Sequence, residues 1–211
     1  ELRLTHPARR LYLLIERYKR EFPRGKYKRD NIPIPIICAC EYGRMDDVQS
    51  FVNLHPYHKY ITNRDANGYR DEMTLKEMVN QFGIDSEGGA LECTPLIIAV
   101  TCEHFQVVQY LIEQGEADPN ITDSDGQNAL YYAAIHNRKN TEVTELLLEH
   151  ISLESINKKQ SGGCTPLDCA YFNRGPIRLQ IAALLRLKGG KSNWFDANGI
   201  MVGDGNGDLN H

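Results

Sequence analysis

The sequence predicts an all-α solenoid of stacked helix pairs, and three observations point to it. A short block that opens like a helix start and closes on alanine returns four times along the chain. A second apolar stretch at helical spacing follows each copy. The composition, 41% apolar and 25% charged, is that of an ordinary folded protein, and no apolar run approaches the roughly 20 residues that cross a bilayer.

The block reads Ile34-Pro35-Ile36-Ile37-Cys38-Ala39, Thr94-Pro95-Leu96-Ile97-Ile98-Ala99, Asn128-Ala129-Leu130-Tyr131-Tyr132-Ala133 and Thr165-Pro166-Leu167-Asp168-Cys169-Ala170. Its third residue falls at 36, 96, 130 and 167, giving steps of 60, 34 and 37 residues. The second stretches carry Val48, Phe51 and Val52; Val107, Val108, Leu111 and Ile112; Val143, Leu147 and Leu148; and Ile181, Leu184 and Leu185. Thr-Pro opens a helix well: Thr accepts from a free amide of the first turn, and Pro fixes φ where its missing N–H costs nothing. Alanine keeps the first helix thin, so neighbours can approach. The segment Asp123-Ser124-Asp125-Gly126 turns the chain, with Asp123 bonding nearby amides and Gly126 taking positive φ. Gly115 is expected to end a second helix in a left-handed cap.

The copy running from Thr94 through Glu103-His104 and Val107–Ile112 to Gly115, then through Ala117-Asp118-Pro119-Asn120 to Gly126, resembles the ankyrin repeat. That unit of about 33 residues is a β-turn plus two helices bearing T-P-L-H-x-A. The resemblance covers residues 33–190 in about four repeats. It departs from the family where Ile37, Ile97, Tyr131 and Asp168 replace the His after Leu, so a turn-stabilising hydrogen bond is absent or remade. The third copy has Asn128-Ala129 for Thr-Pro and extra residues around Arg138–Thr141; in the fourth, Pro176 is expected to start the second helix. The 60-residue step exceeds one period by about 27 residues, placed as an insertion at 69–92. There Thr74, Leu75, Met78, Val79 and Phe82 read as a short amphipathic helix, followed by Gly83 and a loop, Asp85–Gly89. A degenerate repeat, a loop elaboration and a binding insertion all fit that segment.

Residues 1–32 form a basic head. Ten Lys/Arg face four acids in residues 1–30, a balance of +6 that leaves −10 on the remainder of a chain whose net charge is −4. Pro7–Phe22 reads as a helix with Leu11, Leu14, Ile15, Tyr18 and Phe22 on one face. It is expected to cap the first repeat. A membrane-surface role for this basic amphipathic helix and nucleic-acid contact by Arg24–Arg29 are the alternatives. Residues 191–211 read as a polar Gly/Asn/Asp-rich tail, with Trp194 and Phe195 packing on the last repeat. Asp204–Asp208 imitates the start of a calcium loop, but Leu209 stands where Gly is needed. The chain opens on Glu1, which suggests a fragment of a longer protein.

Six cysteines, at 38, 40, 93, 102, 164 and 169, lack the paired spacing of zinc sites and are expected to be reduced thiols of a cytoplasmic protein. Phosphate-loop, dinucleotide and H-E-x-x-H motifs are absent from the sequence. Cys102 and His104 stand two apart, but His104 falls where the family commonly carries a structural His. Asn120-Ile121-Thr122 is a formal glycosylation sequon read here as hairpin. The expectation is therefore a non-enzyme with no catalytic residue, cofactor or metal.

The resemblance implies a protein–protein interaction module, a scaffold or adaptor holding a partner on its concave face. The family's contact positions, turn tips and exposed residues of the first helices, fall on Glu41, Tyr42, Asp65, Asn67, Tyr69, Thr101, Cys102, Ser124, Asp125, Gln127, Ile135, His136, Phe172 and Asn173. Tyr42, Tyr69 and Phe172 are the expected anchors, since aromatics dominate interface energetics. Acids at Glu41, Asp65 and Asp125 favour a partner segment bearing Lys or Arg. A monomer that binds another protein and no nucleic acid is expected. The alternatives are a regulatory or tethering segment of a larger enzyme or channel, and a membrane-surface adaptor.

Overall fold

Pro7 and the preceding His6, whose Nδ1 accepts from the Ala8 amide, start a 15-residue helix, α1 (Pro7–Glu21). The computed structural model describes residues 6–22, 34–60, 74–83, 93–196 and 198–202. Its contacts divide the chain into two units, one ending at Asp118 and the other starting at Pro119. Among the described residues the secondary structure is helical, apart from three isolated β-bridges.

In the first unit, α2 (Pro35–Glu41) and α3 (Met45–Leu54) form one helix pair, and α5 (Pro95–Thr101) and α6 (Phe105–Glu113) the next. The first helices, α2 and α5, pack on each other, as do α3 and α6. Each first helix is short because the chain turns at its C-cap, Tyr42 or Cys102. Both are buried almost all round, from Pro35 to Cys40 and from Pro95 to Val100. At Thr94 the side chain accepts from the Ile97 amide, as its place before Pro95 predicts. Ile34, its counterpart before α2, has no such cap. Helix α1 lays Ala8, Leu11, Ile15 and Tyr18 against α2, α3 and the 3-10 turn His55–Tyr60. Leu14 and Phe22, expected on that face, are only half-buried.

The second unit repeats the arrangement with α7 (Ala129–His136) and α8 (Glu142–His150), then α10 (Pro166–Phe172) and α11 (Arg178–Leu187). Here α7 packs on α10 and α8 on α11. Asn128 and Thr165 cap their helices through the Tyr131 and Asp168 amides. Asn128 therefore replaces the Thr-Pro start, and its Nδ2 also donates to the buried Ser155 carbonyl at 2.9 Å.

Short helices precede two of the repeats and explain part of the irregular spacing. Helix α4 (Leu75–Asn80) lies in the region expected to be an insertion; a capping box between Thr74 and Glu77 opens it, and it buries Met78 and Val79. It ends on Asn80, which donates to the Glu116 carbonyl (3.0 Å) and accepts from the Asp118 amide (2.8 Å). Helix α9 (Leu153–Ile156), which periodicity missed, is capped by Ser152 and followed by Asn157. Asn157 bonds the Gly189 carbonyl (3.1 Å) and the Lys191 amide (2.7 Å) in the same manner. Helix α4 thus ends on, and helix α9 is followed by, an asparagine that makes the same pair of bonds. The loop expected at Asp85–Gly89 lies outside the described residues.

Three expectations are corrected. The left-handed residue after α6 is Glu116 (φ 59°), equivalent to Gly189 (φ 86°), and not Gly115. Gly115 is needed instead for space, since a Cβ there would stand 2.8 Å from the Leu111 carbonyl oxygen. Pro176 lies in the turn before α11, which starts at Arg178 with Ile177 as N-cap. The stretch after Gly189 is not a plain tail: Phe195 pairs with Met201, as Thr122 pairs with Asn128. Asp196 accepts from the Asn198 and Ile200 amides, just as Asp123 accepts from those of Asp125 and Gln127. The calcium-like segment Asp204–Asp208 is outside the described residues.

Candidate functional site

In each unit the C-terminal ends of two adjacent first helices come together. In the first unit these ends carry Glu41–Tyr42 on α2 and Thr101–Cys102 on α5. His104 Nε2 donates to the Glu41 carbonyl oxygen at 2.9 Å, linking the two repeats. In the second unit the ends carry Ile135–His136 on α7 and Phe172–Asn173 on α10. Asn173 Nδ2 donates to the Ala134 carbonyl oxygen at 2.8 Å, making the same kind of link. Both bonds satisfy carbonyls that a helix end leaves without an intrahelical partner.

Exposure separates the expected contact residues. Tyr42 is 50% exposed and Phe172 41% exposed. Tyr42 is tilted against Phe22 at 5.7 Å, and the Arg44 guanidinium lies over its ring at 5.2 Å. Phe172 meets Trp194 and Phe195 edge-on at 5.2 and 5.0 Å, which accounts for the packing expected of those two aromatics. His136 stacks on Tyr132 at 6.0 Å. Ser124 and Asp125 are exposed at a hairpin tip, while the Gln127 backbone exchanges bonds with Asp123. Thr101 donates its hydroxyl to the Ile97 carbonyl, and Asn173 Oδ1 accepts from the Gly175 amide. The side chains of Thr101 and Asn173 are therefore engaged inside the chain. Asp65, Asn67 and Tyr69 lie outside the described residues.

Asp168 is the residue whose role the sequence left open. It is fully buried at the position where the family has His. Its Oδ2 accepts from the Thr165 amide at 2.8 Å; Oδ1 accepts from the amides of Asn193 (3.1 Å) and Trp194 (3.2 Å) and from the Ser192 hydroxyl. The turn-stabilising bond is thus remade by a carboxylate that ties one repeat to the next hairpin.

The thiols are structural in character. Burial pushes the Cys40 thiol well above its ordinary range and the Cys169 thiol up to about 12, which disfavours the nucleophilic thiolate. No group of three or more His, Cys, Asp or Glu among the described residues could hold a metal ion. No helix among them is long and apolar enough to cross a membrane.

Residues 11–150 and 96–193 match the family model for ankyrin repeats (3 copies). A stretch of 120 residues, 56% of the chain, is 28% identical to the NAD-dependent deacetylase sir2B of Dictyostelium discoideum. That stretch covers 14% of the deacetylase's length. Ankyrin repeats are in general protein–protein interaction modules, and their fold is non-catalytic. With the paired helices, the hairpins and a family match that spans most of its length, this chain belongs to the ankyrin-repeat family.

Proposed function

We propose that the chain is a non-enzymatic adaptor that holds a partner protein on the ends of its first helices and its hairpin tips. The observation that carries this reading is the exposed aromatic at a tied pair of helix ends in each unit, Tyr42 in one and Phe172 in the other. Large, rigid side chains held in place by their neighbours make good anchors, because little freedom is lost when they bind. Glu41 and Asp125 favour a partner segment bearing Lys or Arg, with Asp65 extending that character. The adaptor acts as a monomer in the cytoplasm. A pull-down comparing wild type with Tyr42→Ala/Tyr69→Ala/Gln127→Ala tests the face. Loss of one or more proteins from the variant supports it, and recovery of identical proteins refutes it.

A second reading is that the repeats tether or regulate a catalytic region of a larger polypeptide. The partial match to a deacetylase favours it. Sequencing the full reading frame decides: a catalytic domain in the same chain supports tethering, and its absence removes the idea.

A further inference from the structure

The strongest feature not used by the proposed face lies beside the first helix pair, where α1 covers it. Between α1 and α3 runs a groove of about 420 Å³ lined by Arg10, Leu13, Leu14, Arg17, Arg20, Ser50 and Leu54. The α1 residues fall at intervals of three, four and seven, so they form one stripe of the helix. That stripe is distinct from the Ala8, Leu11, Ile15, Tyr18 face buried against the repeats. Leu13, Leu14 and Leu54 give it an apolar lining, and Leu13 is 44% exposed. Arg10, Arg17 and Arg20 line it as exposed side chains, and no carboxylate is among its lining residues. Arg17 is held by Asp47, which also accepts from the Tyr18 hydroxyl at 2.8 Å. Arg20 Nε donates to the Glu16 carbonyl, and no carboxylate among the described residues pairs with Arg10 or Arg20. The groove therefore combines apolar and cationic side chains, on a chain whose net charge is −4.

We infer that this groove is a second docking surface, which takes an acidic amphipathic helix of a partner protein. Charge complementarity selects the acids, because Asp or Glu pairs with the arginines while apolar residues meet the leucines. Spacing selects the helix: Arg10 and Arg20, the two groove arginines with no carboxylate partner among the described residues, stand ten residues apart on α1, about 15 Å along its axis, and carboxylates three turns apart on a second helix match that interval. A lipid surface fits less well. Of the three leucines that line the groove only Leu13 is largely exposed, so little apolar surface is offered for a bilayer to bury. The inference does not depend on the face proposed above, which uses other residues.

The test measures anisotropy of a fluorescein-labelled peptide of 18 residues, with Leu at helical spacing on one face and Glu on the other, against the whole 211-residue chain. A control peptide carries Lys in place of every Glu. Wild type should bind the acidic peptide, with affinity falling as salt rises, and should not bind the Lys peptide. Arg10→Glu/Arg20→Glu should weaken binding at least tenfold. Ser50→Trp, which fills the groove without changing charge, should do the same, with circular dichroism confirming that both variants stay folded. Equal affinity in wild type and both folded variants overturns the inference, as does equal binding of the two peptides. Vesicles of 30% phosphatidylserine in phosphatidylcholine form the last arm. Sedimentation with vesicles that is lost in Arg10→Glu/Arg20→Glu, with no peptide binding, overturns the peptide reading in favour of a membrane.

Discussion

Replacing Asp168 with alanine removes one buried carboxylate and several hydrogen bonds together. The amides of Thr165, Asn193 and Trp194 and the Ser192 hydroxyl lose their acceptor. Thr165 is buried, so its amide is left unsatisfied at a cost of about 1–3 kcal/mol. The amides of Asn193 and Trp194 lie in a half-exposed hairpin, where water replaces part of what is lost. The part-buried Ser192 hydroxyl loses its acceptor as well, which adds about 1 kcal/mol. The desolvation the carboxylate itself no longer undergoes works the other way. The balance is a loss of about 3–4 kcal/mol, and about half of that for Asp168→Asn, which keeps one carbonyl acceptor. Trp194 is the only tryptophan, and its own amide is one of those affected, so its fluorescence reports this hairpin directly. With a urea slope near 2 kcal/mol per molar, the Trp194 transition should move down by roughly 1.5–2 M urea. Helical circular dichroism should shift with it, because the capping box that opens α10 is lost together with the hairpin bonds. A shift worth less than about 1 kcal/mol would refute the view that this carboxylate replaces the family's histidine as the link to the next hairpin.

Alkaline pH should destabilise the chain in a way set by its buried thiols. Unfolded thiols ionise near about 8.5, whereas burial holds Cys40 protonated far above that and Cys169 up to about 12. The native state then binds more protons than the unfolded one, so stability falls as pH rises above about 9, by about 1.4 kcal/mol per pH unit for each thiol. Urea midpoints for Cys40→Ala/Cys169→Ala between pH 9 and 10 should therefore fall less steeply than wild type, by about 2.7 kcal/mol per unit, and an identical slope refutes the reasoning. At Gly43 (φ +62°) a Cβ would stand 2.7 Å from the His104 ring. Gly43→Ala should cost about 3 kcal/mol in wild type but only about 1–2 in a His104→Ala background, where only the left-handed backbone is penalised. Additive effects in that cycle would show that the two residues do not meet. Thr94→Ala removes the cap on the Ile97 amide and should cost about 1–2 kcal/mol by urea titration, whereas Thr94→Ser should cost little.

The helix pairs were legible because their signal is local. Thr94-Pro95 and Thr165-Pro166 contain both their cap and their first helical residue, and the apolar spacing of Val107, Val108 and Leu111 names its own buried face. The short helices were harder, since four or six residues are too few to show a period. Helix α4 could be read because Thr74 precedes Leu75, Met78 and Val79 at helical spacing, and α9 was hidden because the feature that marks it is the tertiary bond from Asn157 to Gly189 and Lys191. The hairpin near the C-terminus was legible in principle: Asp196-x-x-Gly199 repeats Asp123-x-x-Gly126, but the block that should follow it is absent. Of the candidate site, type and rough position could be read from the repeat, yet engagement could not. Asn173 looks like any exposed asparagine until its amide is seen on the Ala134 carbonyl. The groove between α1 and α3 was only half legible. The sequence gives the basic stripe, and a second helix is needed to make it concave.

The two kinds of residue at the helix ends should behave differently under mutation, and that difference tests whether the face is pre-organised. His104 and Asn173 hold neighbouring first helices through carbonyl oxygens that would otherwise face water, so they fix where the anchors stand. Tyr42 projects from such an end and is half exposed. Removing a positioning side chain should therefore lower stability and partner affinity together, each by about 1 kcal/mol. Removing Tyr42 should lower affinity by more than it lowers stability, chiefly through faster dissociation. Phe172 falls between the two, because it also packs on Trp194 and Phe195 and its loss must loosen that cluster. Paired urea and binding measurements on Asn173→Ala, Tyr42→Ala and Phe172→Ala would separate these roles. If Tyr42→Ala loses stability in step with affinity, the ring is a structural contact of Phe22 and Arg44 and not an anchor for a partner.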